Sequence, residues 1–141
     1  LVTAQHLMDV AGIKVTVIGG VLRTENASMV GSLAEELLDR LWFDHLFLGA
    51  GAIAEDLSIY SLDEAEARLN EKMLTRATLK TLLVDHSKFG RRLTYRVAAL
   101  APEIEIITDD GLEASWRQRL ADIGCAPRIV AVPKGASEGL E

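Results

Sequence analysis

Apolar residues recur along much of the chain with the spacing of one helix face. In the clearest stretch, which starts at Val30, they recur three, four, seven, eight and eleven residues further on, and this predicts an amphipathic helix. A serine or aspartate followed three residues later by glutamate indicates a capping box at two helix starts, Ser32 with Glu35 and Asp63 with Glu66. Helices are predicted over residues 3–11, 30–41 and 63–77, and a fourth helix, which contains Trp116 and Leu120, is predicted to end at Ile123 before Gly124.

Short apolar runs between the helices predict the strands of a sheet. They cover residues 14–18, 45–48, 78–84, 104–108 and 128–132. Because strands alternate with helices, right-handed crossovers make the sheet mostly parallel and place helices on both of its faces. We therefore expect an α/β fold of the Rossmann-like type, formed by one domain over residues 1–133, with a disordered tail over residues 134–141.

The composition fits such a domain and narrows its environment. Hydrophobic residues make up 49% of the chain but aromatic residues only 5%, as in a buried sheet built from leucine, isoleucine, valine and alanine. No apolar run approaches the length of about 20 residues that a membrane helix needs, and the first residues do not resemble a signal peptide. The lone Cys125 excludes an internal disulfide and is expected to be a small buried apolar residue. We expect a cytoplasmic protein without a membrane partner.

Charge is distributed unevenly along the chain. The net charge of −6 argues against this chain binding nucleic acid by itself, because DNA binding depends on neutralising phosphates. Between Lys72 and Arg96, however, there are seven basic residues and one acidic residue, Asp85, which gives a local charge of +6. This stretch is either a solvated basic face or part of a pocket for a small anion.

Ligands of open parallel sheets bind at the carboxyl ends of the strands. The residues predicted to lie there are Gly19 and Gly20 with Arg23, and the segments 49–53, 85–90 and 108–110. Glycine lets backbone N–H groups approach an anion closely, although it also serves in ordinary tight turns.

Several kinds of chemistry are not indicated by the sequence. There is no Gly-x-Gly-x-x-Gly or Walker motif for a nucleotide cofactor, and the three histidines and the cysteine lack metal-ligand spacing. Ser87 has no Gly-x-Ser-x-Gly environment for acyl transfer. We expect neither a cofactor nor a metal.

Four segments in register carry a family resemblance. Residues 17–23 (Val-Ile-Gly-Gly-Val-Leu-Arg) and 44–53, with their Gly-Ala-Gly-Ala-Ile ending, resemble the sensor domain of DeoR-family transcription repressors. Residues 85–90 are similar to that family's Asp-x-Ser-Lys-Phe-Gly segment, and residues 106–109 are similar to its Ile-Thr-Asp strand end. The similarity runs in order from about residue 15 to residue 132.

The resemblance implies the fold of ribose-5-phosphate isomerases and of the related CoA-transferase-type sensors. In the regulators this fold is a receptor for a phosphorylated sugar or a related metabolite, and a preceding helix-turn-helix domain binds DNA. The family also usually opens with a strand and an Asp-x-Gly-Thr/Ser-Thr loop, which this sequence does not contain. We therefore expect a chain that is truncated at its amino-terminal end and contacts DNA only through a domain it lacks. It should form homo-oligomers through an exposed sheet edge or need the missing segment supplied.

The same resemblance leaves an enzyme as the alternative. Residues 67–73 are similar to the Ala-x-x-x-Glu-Lys helix of ribose-5-phosphate isomerases. The isomerase loop reads Gly-Ala-Asp-Glu, however, whereas this chain has Gly49-Ala50-Gly51-Ala52 and lacks both acids that would orient the sugar. The Phe89-Gly90 ending also matches the regulators. We expect a sensor without catalytic residues rather than a sugar-phosphate isomerase.

Six residues are candidates for contact with the effector. Lys88 would bind the phosphate or a sugar oxygen, unless it caps a helix or only pairs with Asp85. Asp85 would orient Lys88 or accept a sugar hydroxyl, and Arg23 would bind phosphate or be exposed. The remaining candidates are Gly49 and Gly51, for backbone approach, and Glu71, which with Asn70 lies one helix away.

Overall fold

The computed structural model describes residues 1–132, and the tail predicted over residues 134–141 lies outside them. Four α-helices and nine β-strands are formed in this part of the chain. In order, they are α1 (Val2–Met8), β1 (Val21–Arg23), β2 (Ser28–Val30), α2 (Ser32–Leu38), β3 (Phe43–Gly49), β4 (Ala52–Ile53), β5 (Ser58–Ser61), α3 (Glu64–Leu74), β6 (Ala77–Leu83), β7 (Tyr95–Ala99), β8 (Ile104–Asp109), α4 (Ala114–Asp122) and β9 (Arg128–Val130).

A four-stranded parallel sheet with the order β3-β6-β8-β9 forms the centre of the fold. Leu48, Leu82 and Ile106 lie side by side on neighbouring strands, and all three are buried. Trp116 and Leu120 of α4 belong to the same core, and α3 adds two more residues to it. Burying each large apolar side chain contributes about 1.5–3 kcal/mol. The predicted α/β class with a mostly parallel sheet is confirmed, but within residues 1–132 helices cover only one face of the sheet, so the prediction of helices on both faces is wrong.

The opposite face of this sheet is open to solvent. Phe47, Leu79, Leu83 and Val130 lie on it and are 60%, 58%, 45% and 46% exposed, respectively. A polar row crosses the same face, in which His45 Nε2 lies 2.8 Å from Thr81 Oγ1, and Thr81 Oγ1 lies 3.0 Å from a Glu105 carboxylate oxygen. Strand β3 is at one edge of the sheet, so the backbone groups on its outer side face away from the other strands.

Two antiparallel units accompany the parallel sheet and were not predicted. Strands β4, β5 and β7 form a three-stranded sheet, and β1 and β2 form a hairpin. The strand predicted over residues 14–18 is wrong, because the extended pairing begins only at Val21. The loop of the hairpin contains Asn26, whose Oδ1 accepts hydrogen bonds from the Ser28 amide (3.3 Å) and hydroxyl (2.6 Å) and so fixes the turn.

The two predicted capping boxes have different outcomes. The box at α2 is wrong, because Gly31 is the N-cap, Ser32 is already helical, and Glu35 forms an ion pair with Arg68 instead. At α3 the Asp63 carboxylate accepts from the Glu66 amide at 2.8 Å, as predicted. The Glu66 carboxylate does not return to the N-cap.

Two further findings concern the environment of Cys125 and the length and polarity of the helices. Cys125 is only 3% exposed, and burial, helped by the nearby charge of Glu103, raises the pKa of its thiol, so it behaves as the predicted apolar residue. Over residues 1–132, the helices are all too short or too polar to span a lipid bilayer.

Candidate functional site

A cavity of about 510 Å³ opens beside the carboxyl end of β3. Its walls come from the β1–β2 hairpin, the end of β3 with the loop after it, the end of β5, one face of α3, and residues 88–93, which follow β6. Four of the six candidate residues line it, namely Arg23, Gly49, Gly51 and Lys88. The chain thus brings these candidates together at the strand ends where a ligand was expected.

The segment that presents Lys88 is held firmly on both sides. After β6 the chain forms a single 3₁₀ turn over His86–Lys88, in which the Asp85 carboxylate accepts from the amide (2.9 Å) and the hydroxyl of Ser87. Phe89 is buried against Trp116, with 5.4 Å between the ring centroids. Lys88 lies between these two anchors, so the fold fixes the backbone from which its side chain reaches the cavity.

The Asp85 carboxylate serves this turn. Burial raises its pKa, but the hydrogen bonds from Ser87 and the charge of Lys88 outweigh burial and hold the pKa below its usual value. Asp85 is therefore an anion at neutral pH that stabilises the turn, while its predicted role in orienting Lys88 stays a prediction.

Asp109 joins the ends of two neighbouring strands. Its carboxylate accepts from the His86 amide at 2.7 Å, from the Gly111 amide at 2.8 Å, and lies 2.7 Å from His86 Nδ1. Burial by itself would raise the pKa of Asp109, but the hydrogen bonds have the larger combined effect and hold that pKa below its usual value. Asp85, His86 and Asp109 can offer atoms within 4.8 Å of one another. The two carboxylates are nevertheless already used by protein donors, and the cluster connects the loop after β6 to the end of β8.

Six of the seven basic residues between Lys72 and Arg96 fall into two groups, and the seventh, Lys80, lies in β6 outside the cavity. One group is paired within the fold: Lys72 and Arg76 bind Asp39, at 2.7 and 2.8 Å, and these hydrogen bonds lower the Asp39 pKa. Arg92 and Arg96 are likewise bound, by Asp56 and Ser58.

The second group consists of Lys88 and Arg91, which line the cavity. Within residues 1–132 neither of them has a carboxylate within 4.0 Å. The two interpretations of the basic stretch, a basic face and a pocket for a small anion, therefore apply to different residues. Most of the positive charge is structural, and two cations are available to an anion in the cavity.

Arg23 is less available than the sequence suggested. Its guanidinium lies 3.3 Å from Glu66, 3.7 Å from Asp63 and 3.8 Å from Glu25, and its side chain is only 20% exposed. One of its terminal nitrogens is buried without a hydrogen-bond partner in the described part of the chain. Arg23 is thus mainly neutralised by carboxylates, with one N–H group still to be satisfied.

Glu66 is the functional candidate that sequence reasoning missed. Its carboxylate accepts from Asn26 Nδ2 at 2.9 Å and from the Ser61 hydroxyl at 2.5 Å, in addition to its contact with Arg23. It connects the hairpin, strand β5 and helix α3 at the cavity wall. Its spacing of four from Asn70, which also lines the cavity, could have identified this face of α3.

The remaining candidates differ from one another. A Cβ added to Gly49 would meet nothing within 4 Å, so this strand end has space for close approach of a ligand. A Cβ on Gly51 would lie 2.9 Å from the Tyr60 carbonyl oxygen and 2.9 Å from Leu93, so packing alone requires glycine there. Glu71 is exposed and does not line the cavity, whereas its neighbour Asn70 does.

Comparison with known proteins gives a consistent family. Residues 1–110 match the family described as the DeoR C terminal sensor domain. The HTH-type transcriptional regulator GlpR of Haloferax volcanii is 36% identical over 111 residues, which are 79% of this chain and 44% of the relative. The putative aga operon transcriptional repressor of Escherichia coli O157:H7 is 33% identical over 121 residues, 86% of this chain and 45% of the relative.

A third relative, the glycerol-3-phosphate regulon repressor of Escherichia coli K12, is 27% identical over 119 residues, 84% of this chain and 47% of that protein. The chain therefore spans about half the length of the curated relatives that it matches.

Proposed function

The chain belongs to the family of DeoR C-terminal sensor domains, and from this premise we propose that it is the effector-binding part of a transcription repressor. Its ligand is a phosphorylated sugar or a related metabolite, bound in the cavity beside the end of β3 and left chemically unchanged. The named relatives are transcription regulators, and one of them is a repressor of a glycerol-3-phosphate regulon.

The observation that carries this proposal is a pair of cations that line the cavity without forming an ion pair in the described part of the chain. Lys88 and Arg91 line it together, and neither has a carboxylate partner in the described part of the chain. Hydrogen bonds from ammonium and guanidinium groups to phosphate are charge-assisted and about twice as strong as those between neutral groups. The open strand end at Gly49 adds backbone that an anion can approach.

A binding role without catalysis is supported by what lines the cavity. Gly51 and Ala52 stand where the isomerases carry acids, Glu71 lies outside the cavity, and the Glu66 carboxylate is bound by protein donors. We expect no conversion of ribose 5-phosphate to ribulose 5-phosphate in a coupled assay. Turnover that disappears in Glu71→Gln would favour the isomerase instead.

The ligand class is tested by calorimetric titration with glucose 6-phosphate, ribose 5-phosphate and glycerol 3-phosphate, each beside its unphosphorylated form. We expect the phosphorylated member of at least one pair to bind, with its partner at least tenfold weaker. Lys88→Ala should abolish that preference, whereas Lys14→Ala, at an exposed lysine outside the cavity, should preserve it. Equal affinity for both members of each pair would refute the phosphate site.

Partners other than the ligand are also part of the proposal. With a net charge of −6, this chain is proposed to influence DNA only through the DNA-binding part of a full-length regulator, in the cytoplasm where the metabolite occurs. We further propose that copies of the chain self-associate. The open β3 edge and the exposed apolar side chains beside it support this, because such an edge pairs readily with a second strand.

A further inference from the structure

Glu66 and Asn70 form the part of the cavity wall that helix α3 supplies. They stand four residues apart, so the helical repeat places them on one face of α3, and both line the cavity that contains Lys88 and Arg91. This wall presents a carboxylate and an amide rather than cations. What it can recognise depends on which of its hydrogen-bonding atoms remain free.

The neighbours of Glu66 have little capacity left for a ligand. Ser61 is 2% exposed, and its hydroxyl donates to Glu66 at 2.5 Å while accepting from the Asp63 amide at 3.3 Å. Asn26 donates to Glu66, and its own oxygen is occupied by the amide and hydroxyl of Ser28. These side chains fix the position of the Glu66 carboxylate.

Glu66 itself keeps at least one acceptor position. A carboxylate offers about four lone-pair sites; two of them accept from Asn26 and Ser61, and Arg23 lies 3.3 Å away without a hydrogen bond. The Glu66 side chain is 27% exposed, so the remaining site can be reached from the cavity. The Asn70 side chain, half-buried on the same wall, makes no hydrogen bond within residues 1–132 and can both donate and accept.

The free atoms of Glu66 and Asn70 can bind a hydroxyl group, but they are unfavourable for a phosphate. A hydroxyl can donate to Glu66 and accept from the Asn70 amide, whereas a phosphate has only acceptors to offer and is repelled by the carboxylate. Since Lys88 and Arg91 lie on the loop after β6, the two chemistries occupy different walls of one cavity. A ligand that carries both groups is therefore held in a single orientation.

We propose that Glu66 and Asn70 are the specificity-determining pair of this site, which selects phosphate esters that carry hydroxyl groups over those that do not. The proposal rests on the function proposed above. Glu66 also binds Arg23 and Asn26, so the same carboxylate connects the hydroxyl end of the ligand to the β1–β2 hairpin.

The test is a titration of wild-type chain and variants with glycerol 3-phosphate, ribose 5-phosphate and glucose 6-phosphate, and with ethyl phosphate as a probe without hydroxyls. Glu66→Gln should weaken the best-bound hydroxylated ester about tenfold, as expected for one lost charge-assisted hydrogen bond, and change ethyl phosphate less than twofold. Glu64→Gln is the matched control, because Glu64 is exposed in the same turn and does not line the cavity. Asn70→Ala should reproduce the selective loss without touching the Glu66 contacts.

The outcomes separate the two proposals. If Glu66→Gln weakens all probes equally, or if Asn70→Ala has no effect on any of them, the specificity role is overturned while the phosphate site stands. If wild-type chain binds no phosphate probe, or if Lys88→Ala leaves the binding of every probe unchanged, the phosphate site is overturned and the specificity role with it.

Discussion

Gly49 and Gly51, at and just after the end of β3, allow the effect of packing on stability to be measured separately from the effect of ligand approach on binding. An alanine at position 51 would place its Cβ 2.9 Å from the Tyr60 carbonyl oxygen and 2.9 Å from Leu93 Cδ1. Leu93 can change its rotamer, but Tyr60 lies in β5, which pairs with both β4 and β7 and cannot move freely. An alanine at position 49 would meet nothing within 4 Å.

The two glycine-to-alanine substitutions are expected to change the free energy of unfolding in different directions. Overpacking of this kind costs about 1–3 kcal/mol, and the loss of unfolded-state freedom when glycine becomes alanine returns about 0.4–1 kcal/mol. We therefore expect Gly51→Ala to lower the free energy of unfolding by about 1–2 kcal/mol. Gly49→Ala should leave it unchanged or raise it by about 0.5 kcal/mol.

Urea unfolding measures both variants against the wild-type chain. With a slope of about 1–3 kcal/mol per molar urea, the midpoint of Gly51→Ala should fall by several tenths of a molar or more, at an unchanged slope. The pair has a second use, since Gly49→Ala should weaken binding of a phosphorylated sugar several-fold if the ligand approaches the backbone there. Equal midpoints for the two variants would refute the packing argument for Gly51.

Three further predictions concern stability and assembly. The folded-state pKa of Asp109 lies below its usual value of 3.8, so its contribution to stability is complete above that value and is lost as pH falls through the folded pKa. Asp109→Asn should therefore flatten the decline of the urea midpoint as pH falls below about 4, and a decline as steep as in the wild-type chain would contradict this. Asp63→Ala removes the N-cap of α3 and should cost about 1 kcal/mol in the same assay, whereas a loss below about 0.3 kcal/mol would show that the cap is redundant. Light scattering should show a concentration-dependent mass that Phe47→Lys reduces, and a monomer at all concentrations would refute self-association through the β3 edge.

The sequence predicted the parallel sheet well because its strands are short, mainly apolar segments that alternate with helical patterns. Strands β3, β6 and β8 lie within two residues of their predicted ends, and so does the end of α4. The three-stranded antiparallel sheet was missed because its strands are two to five residues long and pair across distance, as Tyr60 does with Arg96. A polar pattern such as Ser58–Ser61 becomes a buried strand only through partners that the local sequence does not contain.

The site was predictable to a similar extent. The expectation that ligands bind at the carboxyl ends of strands identified Lys88, Arg23, Gly49 and Gly51, and all four line one cavity. It could not show that Arg23 is neutralised by carboxylates. On α3 the prediction chose Glu71, and its neighbour Asn70 lines the cavity instead, because each helical residue turns the side chain by about 100°. Glu66 was missed since its partners come from two other segments.

The position of β3 at the edge of the parallel sheet has a consequence for amide hydrogen exchange. Strand β6 has a neighbour on each side, so its amides should exchange slowly. The amides of β3 that point outward are not covered by any strand formed within residues 1–132. Along β3, protected and unprotected amides should therefore alternate, residue by residue. If a second strand occupies the edge, the alternation disappears and the whole strand becomes slow, so the exchange pattern of seven consecutive residues reports the state of that edge without any mutation.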